Sequence, residues 1–313
     1  MSAIVTITFS PCIDKSTSVR ELLPEKKLRC AVPMLDPGGG GVNVARAIHK
    51  LGGEALAVFP SGGYTGKQFN ALLSAENIPS CIIETKNETR ENIIVVDEST
   101  SKQYRFGMPG TELTPAEWQQ CLDEVNKMEG LEFIVASGSL PPGVPMDIYA
   151  RLAVIAKKKN AKLVIDTSGE ALRHASDEGV YLLKPNLGEL ASLIGRERLE
   201  ESELEEIGKQ FVLNGHCEVL VVSLGGAGAV LITANEMHHV VPPKVDAKSV
   251  VGAGDSMVAG MVLSLSRHLP MNEVLQIGVA CGTAATLNPG TDLCRKEDVE
   301  MLLKMIREAA AIA

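Results

Sequence analysis

The chain has 313 residues, 45% of them hydrophobic, 22% charged and only 4% aromatic, with a formal net charge of -9. That balance suits one large α/β domain with a small appendage. The acidic charge argues against a nucleic-acid or anionic-membrane surface, and the scarcity of aromatics against stacking on single strands, but a small anion held by a local cluster stays open.

The start, "MSAIVTITFS", lacks a basic leader and reads as a buried first strand, not a signal peptide. Residues 12–35 are strand-like and carry no long helix. "DPGGGGVNVARAIHKLGG" then runs four glycines into an amphipathic helix, and "EALAVFP" follows as a strand. A second irregular segment, 89–108, contains "NIIVVDESTSKQYRFGM", a hairpin with its turn near Glu98–Lys102. Segments 12–35 and 89–108 either pair into a β-lid or form two separate surface hairpins.

Beyond residue 108, strands "EFIVASG", "KLVIDTS", "VYLLKPN" and "EVLVVSLG" alternate with amphipathic stretches 114–128, 145–159 and 200–213. The alternation predicts a mostly parallel sheet with helices on both faces and ligands beyond the carboxyl ends of its strands. The core would then be 1–11, 36–88 and 109–313. The acidic run "ERLEESELEE" reads as a solvated helix face, and no apolar run is long enough to span a bilayer. Seven scattered cysteines without a C-x-x-C point to reduced thiols in a cytoplasm, and the six histidines lack metal spacing.

Three generic signatures fail. "SGGYTGKQ" has Ser61 where a P-loop needs its first Gly and Gln68 where Ser or Thr should stand. "GAGDSM" has Met257 for the third Gly of a dinucleotide fingerprint, and "SGSLPPG" has Ser137 for the first Gly of a nucleophile elbow.

Four other strand ends carry chemistry. Gly38, Gly39, Gly40 and Gly41 allow close approach of a ligand, with Asn43 on the following turn. In "LLKPNLGEL", Lys184, Asn186 and Glu189 suit a phosphate with Mg²⁺, or simply a surface turn with a capping Asn. "VVSLGGAGAV" is a hairpin or a nucleotide-phosphate loop. In "SVVGAGDSMVAGMVLSLS", Asp255 by itself is a helix cap. Beside the other three strand ends it becomes a general base, with the N–H groups of Gly252, Ala253 and Gly254 as an anion hole.

Together these motifs resemble the ribokinase-like (PfkB) sugar-kinase family. "GGGGVNVARAIHKLGG", "SGSLPPGV", "KPNLGEL", "VVSLGGAGA" and "VGAGDSMVAG" stand in the family's order along essentially the whole chain. "EKKLRC", "YRFGMPG", "TSGEAL", "VVPPKV" and "AATLNPGTDLC" are similar to its branch that phosphorylates fructose 6-phosphate with ATP. The resemblance implies a three-layer α/β/α sandwich with a mostly parallel central sheet, a small β-sheet lid and a homodimer joined through that lid.

It also implies roles. Asp255 is the base, and Gly252, Ala253 and Gly254 form the anion hole. Asp14 and the loop from Gly38 to Asn43 hold the sugar hydroxyls. Lys27, Arg29, Arg90 and Ser139 face the sugar phosphate. Lys184, Ser223, Gly225 and Gly228 line the ATP phosphates, with Cys281 and Ala284 near adenine. Asn186 and Glu189 hold Mg²⁺ through water. Two departures stand out: Ser10 replaces an Asn frequent in relatives, and Ser249-Val250 replaces an Asp-Thr pair. The second leaves backbone carbonyls around Ser249, Val251, Ala285, Asn288 and Gly290 as ligands for K⁺. Kinases of fructose 1-phosphate or tagatose 6-phosphate, and a non-catalytic sensor on the same fold, are the competing readings. Gly40, standing where those kinases carry a Lys, favours fructose 6-phosphate.

Overall fold

The computed structural model describes residues 3–288 and 290–311. Nine strands form the main sheet, in the order β13-β12-β11-β10-β9-β8-β1-β4-β5. Its parallel part comprises β1 (Ile4–Ile7), β4 (Leu56–Gly62), β5 (Ser80–Thr85), β8 (Phe133–Ser137), β9 (Lys162–Asp166), β10 (Val180–Leu183) and β11 (Cys217–Ser223). Every residue of β1 and β8 is buried, as expected of strands covered on both faces. The strands β12 (Ala229–Ile232) and β13 (Met237–Val240) close one edge in antiparallel fashion.

Two apolar layers flank the sheet. One holds α1 (Gly40–Lys50), α8 (Ala253–Ser266), α9 (Met271–Thr286) and α10 (Lys296–Ala310). The other holds α3 (Pro115–Lys127), α4 (Ile148–Lys159), α5 (Gly169–Glu178), α6 (Leu187–Leu193) and α7 (Leu204–Leu213). A Thr114–Glu117 capping box with Pro at the first turn starts α3, and Asn160 in the left-handed region ends α4. The expected 200–213 helix starts later, because Glu201–Glu203 form a 3₁₀ turn before α7.

Segments 12–35 and 89–108 pair into one four-stranded sheet. It contains β2 (Cys12–Val19), β3 (Met34–Gly38), β6 (Arg90–Asp97) and β7 (Lys102–Phe106), in the order β3-β2-β6-β7. β2 and β6 run parallel, and β6 with β7 is the expected hairpin. The boundary at residue 35 falls inside β3, so the small sheet runs on to Gly38 and delivers the chain directly into the glycine run.

The order of the main sheet reverses between β8 and β1. There α1 starts: a Cβ at Gly41 would overlap the Ile7 carbonyl at the end of β1, and one at Gly40 would overlap Ser137 at the end of β8. The glycine run therefore sits at the topological switch point, where sheets of this kind bind their ligands.

Candidate active site

Asp255 is the third residue of α8, and the N-cap is Gly252, in the left-handed region at φ 72°. No side chain caps this helix. The first N–H to bond back is that of Ser256, to the Gly252 carbonyl at 2.8 Å, which leaves those of Ala253 and Gly254 ahead of the helical ladder. The Asp255 carboxylate instead accepts Asn43 Nδ2 at 3.0 Å and Ser137 Oγ at 3.1 Å. Burial pushes its carboxyl up to about 6, and the Asp166 carboxylate adds to the push. The Asn43 and Ser137 hydrogen bonds and the Lys184 ammonium act in the opposite sense.

Asp166, the last residue of β9, pairs with Lys184 Nζ at 3.0 Å. Burial opposes the charge on Lys184, but the carboxylates of Asp166, Asp255 and Glu189 together outweigh it and the ammonium is held above its ordinary range. A Cβ on Gly254 would lie 3.6 Å from both Asp166 Oδ2 and Lys184 Nζ, so the pair sits against the first turn of α8. Lys184, Ser223, Gly225, Gly228, Ala253 and Gly254 line a cavity of about 680 Å³.

Two residues expected at the adenine end do not line this cavity. α9 presents Val279, Gly282, Thr283 and Thr286 to it, one face of the helix at i, i+3, i+4 and i+7 spacing. Cys281 and Ala284 lie off that face and are fully buried, with Cys281 hydrogen-bonded to Cys294. Asn186 and Glu189 form the capping box of α6: Asn186 Oδ1 accepts Glu189 N–H, and Glu189 Oε2 accepts Asn186 N–H, each at 2.8 Å. They line an adjoining groove together with Glu170 and Arg173 of α5.

On the sugar-loop side, Asp14 is buried and its Oδ1 accepts Asn92 Nδ2 at 2.9 Å and the Cys12 thiol at 3.3 Å. Register explains this, because Cys12 stands opposite Arg90 and Asp14 opposite Asn92, so all four share one face of the small sheet. Gly38 and Gly39 pass over this end, and a Cβ on Gly38 would overlap Asp14. Arg90 donates to the carbonyls of Met108 and Ser10 at 3.0 and 3.2 Å, and its Nε is buried without a partner among the described residues. Ser139 is exposed just beyond β8.

Within one copy of the chain, Lys27 and Arg29 are not brought here. They lie in the exposed β2–β3 connection, which is pinned at Ala31 to Ser18 near the far end of β2. Six strand residues, roughly 20 Å, separate Ser18 from Cys12. Gly40 is also more than a position lacking a charge. Because its Cβ would strike Ser137, a Lys there would require β8 and α1 to move apart.

Of the expected cation residues, Ser249, Val251, Asn288 and Gly290 meet in one pair of loops, whereas Ala285 lies in the last turn of α9 with its carbonyl accepting the Asn288 N–H at 3.2 Å. Ser249 Oγ donates to the Gly290 carbonyl at 2.7 Å and accepts Val251 N–H at 3.2 Å, while Asn288 donates to the carbonyls of Leu293 and Ala284. Ser137, Asp166 and Asn92 were not anticipated. For the first two, the available signal was their place at the carboxyl ends of strands, where such sheets bind ligands.

With its cleft, uncapped helix start and buried carboxylate at the switch point, the chain belongs to the pfkB family of carbohydrate kinases, whose pattern ("pfkB family carbohydrate kinase") it matches over residues 5–298. It is 43% identical over 303 residues to the ATP-dependent 6-phosphofructokinase isozyme 2 of Escherichia coli K12, covering 96% of this chain and 98% of that one. Identity to the ATP-dependent 6-phosphofructokinase isozyme 2 of Mycobacterium tuberculosis CDC 1551 is 44%, covering 99% and 91%. The crystal structure of phosphofructokinase-2 from E. coli in complex with fructose-6-phosphate superposes with a TM-score of 0.93 at 41% identity, covering 98% of this chain and 100% of that one. No helix among the described residues is long and apolar enough to cross a membrane.

Proposed function

We propose that this chain transfers the γ-phosphoryl group of ATP to O1 of fructose 6-phosphate, giving fructose 1,6-bisphosphate and ADP. The observation that carries this reading is the Asp255 carboxylate, held by Asn43 and Ser137 between the nucleotide cleft and the sugar loop. Asp255 accepts the O1 proton as the O1–Pγ bond forms and the bond from Pγ to the bridging oxygen breaks. The free N–H groups at the start of α8 and the Lys184 ammonium receive the charge that develops on the phosphoryl oxygens. Asp14 holds sugar hydroxyls, while Arg90 and Ser139 take the 6-phosphate.

Mg²⁺ would supply charge neutralisation between the phosphates. The free oxygen of Asp166, with Glu189 reaching through water, is a hard donor set that suits it. The carbonyls of the Ser249–Gly290 loop pair, with no carboxylate among them, suit a singly charged cation such as K⁺.

A second copy of the chain is the expected partner. Ile93 stands opposite Phe106 and Val95 opposite Tyr104, so these four share the outer face of the small sheet. Ile93, Tyr104 and Phe106 are exposed by 37%, 39% and 47%. An apolar sheet face of this kind calls for cover, and a lid-to-lid homodimer supplies it. Seven free thiols agree with a cytoplasmic setting.

The test is an acceptor panel with purified protein, ATP and Mg²⁺. Fructose 6-phosphate should give the highest kcat/KM. Equal or better turnover of fructose 1-phosphate or tagatose 6-phosphate would overturn the assignment, and ATP binding without turnover of any sugar phosphate would favour a sensor.

A further inference from the structure

Asn43 has two ends, and each faces a charge. Its Nδ2 donates to Asp255, while its Oδ1 faces Arg46 Nη1 at 3.5 Å. Turning the carboxamide over would set its oxygen against a carboxylate and its N–H group against a guanidinium. Arg46 thereby acts together with Asp255 to set which way Asn43 points.

Arg46 is itself rigidly held. It is 2% exposed, although charged side chains are seldom buried without partners. Its Nε and Nη2 form a two-pronged pair with Glu76 at 2.8 and 2.6 Å, the fork geometry in which Arg has no substitute. The remaining Nη1 donates to the Pro37 carbonyl at 2.7 Å, one residue ahead of the glycine run. Asp36 lies 3.9 Å from Nη2 and also accepts Thr291 Oγ1 at 2.8 Å. One buried cation thus ties the end of α2 (Gly63–Ala75), the entry to the sugar loop and the amide on the candidate base.

We infer that Arg46, braced by Glu76, is a positioning residue for phosphoryl transfer, acting on Asp255 through Asn43. This rests on the reading of Asp255 as the base. Arg46 is almost wholly buried, and its effect is to help keep an N–H group, not an oxygen, on the Asp255 carboxylate. The other charged or titratable groups around Asp255 are Asp166 of β9, Lys184 after β10 and Cys12 of β2, and none of these contacts Arg46.

A double-mutant cycle tests the inference, with Glu76→Gln as the mild variant because Glu76 is partly exposed and Gln keeps its shape. Glu76→Gln should lower kcat by ~10-fold, the scale of a small misplacement of a catalytic group, with KM for ATP unchanged. The acidic limb of its kcat/KM profile should move to higher pH, because the Asn43 hydrogen bond that favours the charged carboxylate is weakened. In an Asn43→Ala background the same change should have no further effect. Arg46→Lys should lower kcat in the same way, since an ammonium cannot serve Glu76, Pro37 and Asn43 together. Unchanged kcat in Glu76→Gln, or equal losses in both backgrounds, would overturn the inference. Failure of Asp255→Asn to slow turnover would instead remove the base reading, whatever the cycle shows.

Discussion

Asn43 and Asp255, 212 residues apart in sequence, meet through a 3.0 Å hydrogen bond that joins the start of α1 to the start of α8. The first turns of both helices thereby converge on one carboxylate. Because burial and Asp166 hold that carboxyl at about 6, its charge changes close to neutrality. A base near this value works at physiological pH and fails in mild acid. The kcat/KM for fructose 6-phosphate should therefore fall tenfold per pH unit below about pH 6. Steady-state profiles from pH 5 to 9 check this.

Stability should show the opposite face of the same group. An unfolded Asp titrates near ~3.9, and the folded one near about 6. Between those values the folded chain keeps a proton that the unfolded chain releases. Stability therefore falls as pH rises through that window, and the loss is complete above it. Asp255→Asn removes the buried charge and should raise stability at pH 8 by on the order of 2 kcal/mol, a gain that fades toward pH 4. Denaturant melts at the two pH values measure it.

Asp166→Asn should move the acidic limb downward, because the like charge that helps to raise Asp255 is gone. It also leaves the buried Lys184 ammonium without its counter-charge and removes the carboxylate proposed to hold Mg²⁺, so Mg²⁺-dependent turnover should drop with it. A pH profile recorded at several Mg²⁺ concentrations separates the two effects.

Much of this was legible in the sequence. Patterns of apolar residues marked the parallel strands, and glycine-rich strand ends marked the active edge, since both reflect local requirements. What escaped was set by facing rather than by composition. Cys281 and Ala284 were expected at the nucleotide because they lie in the right helix, but a helix shows only one face, and that face holds Gly282, Thr283 and Thr286. Asn186 and Glu189 matched both a cap and a metal site, and their hydrogen bonds are those of the cap. Asp166 ended an ordinary strand, and only the sheet's register sets it beside Lys184. Lys27 and Arg29 carried the right charge, but within one copy of the chain they are tethered toward the far end of β2.

Arg90→Ala should raise KM for fructose 6-phosphate and leave KM for ATP alone. The expected loss is about 2 kcal/mol of sugar-phosphate binding, the scale of a charge-assisted hydrogen bond. Calorimetric titration of fructose 6-phosphate, with ATP as the control ligand, reads it. Equal weakening of both ligands would place Arg90 in the scaffold alone.

Gly40→Ala tests whether the glycine run is there for packing. Its Cβ would strike Ser137, the same side chain that donates to Asp255. Overpacking of this kind costs about 1–3 kcal/mol, and here it should lower kcat as well as the melting temperature. A variant with native melting temperature and kcat would show that the close approach of α1 to β8 is dispensable.

The most direct test of the account is single-turnover phosphoryl transfer by Asp255→Asn at saturating ATP, Mg²⁺ and fructose 6-phosphate. Loss of a general base predicts a rate reduced by at least ~10²-fold, with nucleotide affinity kept and the fold intact. A rate within a few-fold of the unmodified chain would contradict the account and reduce Asp255 to a structural acceptor for Asn43 and Ser137.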